Sequence, residues 1–344
     1  MRTRLAVAAV AAAATLVPAA ASAAPAGHGH GHHKAPQSFT FGVIGDTPYG
    51  AEKIARFPQD VDRLNADKDL QALVHVGDIK SGSTQCTDEY NAWVKGQFDR
   101  FTMPFVYTPG DNEWTDCHRA NTGAYNPLER LAAIRNTFFA NPGTTLGAPV
   151  KLASQMNRGV PENVRGVQGP FAFATLHVVG SNDGLAPWTG QAKATTAQVA
   201  DEKVRMNAAV ENVRATFREA RRKHLKTVVL FQQADMFDGT YDGWKLESND
   251  AFLPLIKTIA AESNRFDGTT YLFDGDSHVY NDDHPLAAGS VWLQRYGLKT
   301  AAPKVHRITV AGSDNANEYL KVTVTKGRHG GDDTLAYTRV SLVG

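Results

Sequence analysis

The chain has 344 residues, 42% hydrophobic and 21% charged, and its 36 Lys and Arg stand against 35 Asp and Glu for a formal net charge of +1. That balance, without any dense basic run, gives no support for nucleic-acid or membrane-surface binding. No later segment approaches the roughly 20 apolar residues of a membrane helix, so a soluble, exported protein is expected.

The first residues read as a secretion address. Arg2 and Arg4 precede an Ala-rich apolar run from Leu5 to Val17, and Ala21-Ser22-Ala23 offers a small-x-small cleavage site, so residues 1–23 are expected to be a cleavable signal peptide. Residues 24–37 follow as a Pro/Gly/His tract that lacks the apolar residues to offset ordering entropy, and read as a disordered linker. Its His28, His30, His32 and His33 could capture Zn, Cu or Ni; a solvated tail is the plainer reading. Residues 38–344 are long enough to bury a large core.

"SFTFGVIGD" predicts a strand, "FPQDVDRLNAD" a helix with Pro58 near its first turn, and "LQALVHVGD" a second strand covered on both faces. "TDEYNAWVKGQFDRF" predicts a helix with Thr87 as N-cap, and "MPFVYTPGD" a third strand. This β-α-β-α-β order implies parallel strands with right-handed crossovers. Asp46, Asp78 and Asp111 lie 32 and 33 residues apart, one crossover each, so all three should emerge at the carboxyl edge of one sheet, where open α/β sheets place their ligands.

Further along, "NPLERLAAIRNTFFAN" is amphipathic with Leu128, Leu131, Ile134 and Phe138 on one face. Residues 141–170 look like a long loop, "FAFATLHVVGSND" returns to strand, and a helix is expected over roughly Ala197 to Lys223. "KTVVLFQQAD" predicts a strand, "NDAFLPLIKTIAAES" a helix, and "TTYLFDGDSH" a strand ending at Asp276 and His278. "VHRITVAG", "EYLKVTVTK" and "LAYTRVSLV" alternate with period two and suggest a second sheet. The two cysteines, Cys86 and Cys117, fall in the loops after Asp78 and Asp111; in an exported protein a disulfide between them is expected.

Clustered Asp side chains repel and raise one another's pKa, a cost that a bound divalent cation removes. Two cations sharing a carboxylate form the dinuclear site of many phosphatases and nucleases. At these residues the sequence resembles the calcineurin-like metallophosphoesterases, the group that includes purple acid phosphatases. The motif D-x-H is met by "GDTPYG" at Asp46, G-D-x-x by "GDIKSG" at Asp78, and G-N-H-E/D by "GDNEW", with Asp111, Asn112 and Glu113 at its last three positions. The strand-end His position falls near Gln233 in "FQQAD", and G-H-x-H is met by "GDSH", with Asp276 and His278. Pro48 replaces the first motif's His, and Asn112 replaces the general acid.

The resemblance implies an α/β four-layer sandwich of two mixed β-sheets flanked by helices. It also implies a phosphoesterase acting on a small-molecule phosphate mono- or diester through a metal-activated water. The implied metal ligands are Asp46, Asp78, Asp111, Gln233, Asp276 and His278, for two cations. The substitutions trade imidazole for oxygen, which favours Mn, Mg or Ca over Zn or Fe. Asn112 and Tyr49 are candidate catalytic residues, and Arg119 could grip phosphate. His75 is expected to be a hydrogen-bonded core residue. The competing reading is a non-catalytic relative that keeps the fold and a cation as a binding module. A serine hydrolase is disfavoured because no G-x-S-x-G occurs.

Overall fold

The computed structural model describes residues 38–328 and 331–343, so the signal-peptide and histidine-tract readings lie outside the described residues. Among the described residues, thirteen strands form two mixed sheets. The first is built from β1 (Ser38–Ile44), β2 (Ala72–His75), β3 (Pro104–Tyr107), β4 (Leu146–Gly147), β12 (Glu318–Thr325) and β13 (Thr334–Ser341), in the order β13-β12-β1-β2-β3-β4. The second holds β5 (Ala153–Gln155), β6 (Val160–Gln168), β7 (Phe171–Thr175), β8 (Thr227–Phe231), β9 (Thr269–Asp274), β10 (Asn281–Asp283) and β11 (Val305–Thr309), in the order β10-β11-β9-β8-β7-β6-β5. The centre of each sheet is parallel (β1-β2-β3 and β7-β8-β9-β11) and its edges are antiparallel.

Period-two alternation sorts each strand between two cores. Phe41, Val43, Val74 and Val76 of the first sheet face Phe173, Val229, Phe231, Phe273 and Ile308 of the second. Leu73, Ile44 and Phe105 turn the other way and pack on Phe57, Leu64, Phe98 and Ile134 of α1 (Gly50–Ala66), α2 (Asp88–Phe98) and α3 (Pro127–Phe138). The outer face of the second sheet is covered by the helices Thr196–Arg222 and Leu253–Asn264, through Val213, Phe217, Leu255 and Ile259. The result is the expected four-layer sandwich. Among the described residues, no helix is long and apolar enough to cross a membrane.

Three local expectations are corrected. Pro58 lies inside α1 rather than in its first turn. The helix starts earlier because Lys53 and Arg56 anchor it, bonding Asn317 Oδ1 at 3.0 Å and the Ala316 carbonyl at 3.0 Å, while Phe57, Val61 and Leu64 are buried. Residues 141–170 carry β4, β5 and β6 rather than a loop. The C-terminal strands do not make a sheet of their own: β11 pairs with β9, while β12 pairs with β1 and extends the first sheet. Alternation specifies a strand but not its neighbour. Thr87 does cap α2, accepting from Tyr90 N.

Candidate metal centre

The turns after β1, β2, β3, β8 and β9 meet at the carboxyl ends of the parallel strands. They carry Asp46, Asp78, Asp111, Gln233, and the pair Asp276 and His278. Four of these residues take left-handed backbone: φ is 50° at Asp46, 59° at Asp78, 68° at Asp276 and 62° at His278. Asp and His tolerate that region better than most residues, yet each such turn carries strain, and strain of this kind gathers at functional sites. The strands can approach this closely because the turns are glycine-rich. A methyl group on Gly110 would lie 2.0 Å from Asp78 Oδ1.

Two groups of donors result. Asp46, Asp78 and His278 offer atoms all within 4.8 Å of one another, and so do Asp78, Asp111 and Asp276. Asp78 belongs to both. His278 Nε2 stands 3.3 Å from Asp46 Oδ1, and both Asp46 oxygens accept from Asp276 N at 3.1 and 3.2 Å. Asp78 Oδ2 accepts from the Tyr49 hydroxyl at 2.9 Å and from Asn112 Nδ2 at 2.8 Å, while Asn112 N donates to Oδ1 at 3.1 Å. Ser181 Oγ donates to Asp111 Oδ2 at 2.9 Å. Asp46 and Asp78 are fully buried, whereas the His278 side chain is about one-third exposed, 36%, and opens the group to solvent.

The carboxyls are far from comfortable. Burial pushes Asp78 well above the usual range, and Asp111, Glu113, Asp46 and Asp276 push it further. Burial does the same to Asp276, with Asp111 and Asp46 adding to it. Burial also raises Asp46, although the His278 ring pulls it back. At His278 burial works against the charged ring, but the Asp46 hydrogen bond and charge outweigh it and raise its pKa. Burial, then the Asp78 charge, lift the Tyr49 phenol well above its ordinary value. An oxygen-rich, strongly acidic set with one imidazole suits a hard divalent cation, so these clusters could hold a metal ion.

Arg119 sits at the rim. Its Nη2 pairs with Asp116 Oδ2 at 2.6 Å, and a methyl on Gly82 would lie 2.8 Å from Asn112 Oδ1 and 3.1 Å from Arg119 Nη1, so Arg119 and Asn112 flank the same turn. Cys86 and Cys117 are joined as a disulfide, and both sulfurs lie 3.7 Å from the Asn112 carbonyl oxygen. Gln233 does not offer its oxygen to the cluster, contrary to the expected ligand role: Oε1 accepts from Gly180 N at 2.7 Å, so the NH₂ faces inward. His75 is core, as expected. Gly77 N donates to its Nδ1 at 3.1 Å, its Nε2 bonds the Thr47 carbonyl at 2.8 Å, and burial lowers its pKa to about 4.

One role and one residue escaped the sequence reading: the role of Glu113, already placed at the acid position of "GDNEW", and Lys80. Glu113 is the knot of the site: its Oε1 accepts from Asp78 N at 3.0 Å, Gly110 N at 2.8 Å and the Tyr107 hydroxyl at 2.7 Å, so it ties the turns after β2 and β3 together. Lys80 is fully buried, bonded to the Ser81 carbonyl at 3.0 Å and sensing Glu113, Asp78, Asp116 and Asp111; burial lowers its pKa. Its position two residues after Asp78, in "GDIKSG", was the available signal. A cleft of about 330 Å³ opens beside Asp276, walled by Gly180, Ser181, Tyr241, Trp244 and Phe252, and among the described residues no lysine or arginine lines it.

The sandwich and the strand-end Asp/His clusters implied by the calcineurin-like resemblance are therefore both present. No protein family and no curated protein matches the chain by sequence. Among solved structures it is similar to the 5'-nucleotidase precursor from Thermus thermophilus, at 11% identity and a TM-score of 0.43, over 88% of this chain and 55% of that one. The chain thus spans about half the length of the Thermus protein. It is also similar to GAP50, the anchor in the inner membrane complex of Plasmodium, at 10% identity and a TM-score of 0.43, over 89% of this chain and 90% of that one.

Proposed function

We propose that this chain is a secreted, metal-dependent phosphoesterase of the calcineurin-like kind, with a divergent site. The observation that carries the reading is the convergence of Asp46, Asp78 and His278 within 4.8 Å at the ends of strands from two different sheets. Asp46, Asp78 and His278 would hold a divalent cation, with Mn, Mg or Ca preferred for the oxygen-rich set. Such an ion supplies Lewis acidity toward a phosphoryl oxygen and a lowered pKa for water.

The rest is done by the chain itself. Arg119, presented by Asp116, is placed to grip a phosphate oxygen. Asn112 Nδ2, already a donor to Asp78 Oδ2 at 2.8 Å, can orient a bound ester but has no proton to give. The uncharged-to-acidic cleft beside Asp276 takes the organic part of the substrate, a small-molecule phosphate mono- or diester whose leaving group carries no further negative charge. The disulfide agrees with an oxidising, extracellular setting.

A second reading is favoured by one observation: Asn112 and Gln233 stand where a proton donor and an imidazole are expected, which suits a non-catalytic binding module of the same fold. Turnover of an aryl phosphate by purified protein with Mn²⁺, beside the Asp78→Asn variant, separates the two. Turnover lost in the variant supports the enzyme; equal rates in both, or none in either with any divalent ion, overturn it.

A further inference from the structure

Gln233 is fully buried at the end of β8, and its orientation is fixed from 53 residues away. The Gly180 N–H can meet only an acceptor, so the 2.7 Å bond to Oε1 assigns the oxygen to that side and the NH₂ to the other. Nε2 then lies 3.2 Å from Asp78 Oδ2 and 3.2 Å from Asp111 Oδ1. With Asp276, these two carboxylates are the second donor group, whose atoms converge within 4.8 Å. The centre of that group therefore already holds a donor.

A neutral amide nitrogen has no lone pair for a cation. Turning the amide to present Oε1 would aim its NH₂ at the Gly180 N–H and strand a buried donor. Asp111 is satisfied further by Ser181 Oγ at 2.9 Å. In the first group the Asp46 oxygens accept from the Asp276 backbone N–H at 3.1 and 3.2 Å, and the His278 ring, whose Nε2 is 3.3 Å from Asp46 Oδ1, reaches solvent.

We infer that the chain holds a single divalent cation, among Asp46, Asp78 and His278, and that the Gln233 amide stands where a second would lie among Asp78, Asp111 and Asp276. The expectation of two cations is thereby reduced to one. The inference rests on the cation reading given above.

The test is equilibrium dialysis of the full chain against Mn²⁺, with electron paramagnetic resonance of the loaded protein. The unsubstituted chain should bind one Mn²⁺ and give the six-line spectrum of an isolated ion. The Gln233→Glu variant keeps an acceptor for Gly180 N but puts a fourth carboxylate oxygen where the donor was; it should bind two. Two ions with an exchange-coupled spectrum in the unsubstituted chain would overturn the inference and leave the proposed function standing. No Mn²⁺ bound would overturn the cation reading itself, and this inference with it. One ion in a Gln233→Glu variant whose circular dichroism matches the parent would remove Gln233 from the role assigned to it. The spectrum of the unsubstituted chain decides the number of ions even if the variant does not fold.

Discussion

The Asn112 side-chain amide donates to the Tyr49 hydroxyl across 2.8 Å, and that hydroxyl in turn donates to Asp78 Oδ2 at 2.9 Å. The pair that the sequence offers as catalytic thus forms a short chain of donors ending on the carboxylate shared by both donor groups. Neither member is a strong proton donor: an amide does not ionise at neutral pH, and burial and Asp78 hold the Tyr49 phenol well above its ordinary pKa, which makes it a weaker acid.

Activity should therefore fall mainly on esters that leave without help. General-acid assistance is worth about 10²–10⁴-fold. Aryl phosphates are expected to turn over faster than alkyl phosphates by a factor in that range. The Asn112→His variant should gain more on alkyl than on aryl esters. Steady-state kinetics on a matched ester pair checks both, and equal rates on the two in the parent chain would show that another group supplies the proton.

Cation binding should be visible as stability. A ligand at 100 times its Kd adds about 2.7 kcal/mol, or a rise of roughly 4 °C in Tm for a domain of this size. Mn²⁺, Mg²⁺ or Ca²⁺ added to chelated protein should raise Tm more than Zn²⁺ does, and Asp78→Asn should abolish the rise. Burial and neighbouring charge raise the Asp78 and Asp276 pKa values, so in the cation-free protein their folded forms retain protons that the unfolded chain releases. That contribution is complete below the ordinary carboxyl range and is lost as pH rises, so the cation-induced shift should grow with pH. Thermal scans at two pH values measure it.

Reduction should loosen the site from beneath. The Cys86–Cys117 bridge closes 31 residues under the Asn112 carbonyl, worth about 3–4 kcal/mol in the chain-entropy account. Ellman titration of denatured, unreduced protein should find no free thiol. The double Ser variant should lose that stability in denaturant titration and bind Mn²⁺ more weakly, because the turns carrying Asp78 and Asp111 then move independently.

Away from the site, Glu162 is fully buried between His177, at 2.6 Å, and Arg135, at 2.6 Å. Burial alone would raise its pKa, but the His177 ring and the Arg135 guanidinium outweigh it and hold it at about 2, against an ordinary 4.5. The folded pKa is depressed, so the stability it confers is complete above about 4.5 and lost as pH falls toward 2. Glu162→Gln should cost on the order of 3 kcal/mol at pH 7. The gap to the parent chain should narrow between pH 5 and pH 2 in urea titrations; a constant gap would mean that packing rather than charge is at stake.

Much of this protein is legible in its local sequence. Apolar runs ending in Gly-Asp placed Asp46, Asp78 and Asp111 at strand ends, because Gly and Asp are turn-forming residues that stop a strand. Their 32- and 33-residue spacing placed them on one edge, because a right-handed crossover of that length returns parallel. What the tertiary structure decided is who meets whom. Alternation in "EYLKVTVTK" marks two faces but not a neighbour, so only long-range pairing could put β12 against β1. Gln233 reads as a ligand by position, yet Gly180, brought near by the pairing of β7 with β8, turns its oxygen away. Glu113 reads only as the acid position of "GDNEW", and Lys80 as an ordinary loop charge, until folding buries both. Hydrophobic period and turn chemistry are properties of a short segment, whereas the orientation of an amide and the burial of a charge depend on donors that folding brings in from distant parts of the chain.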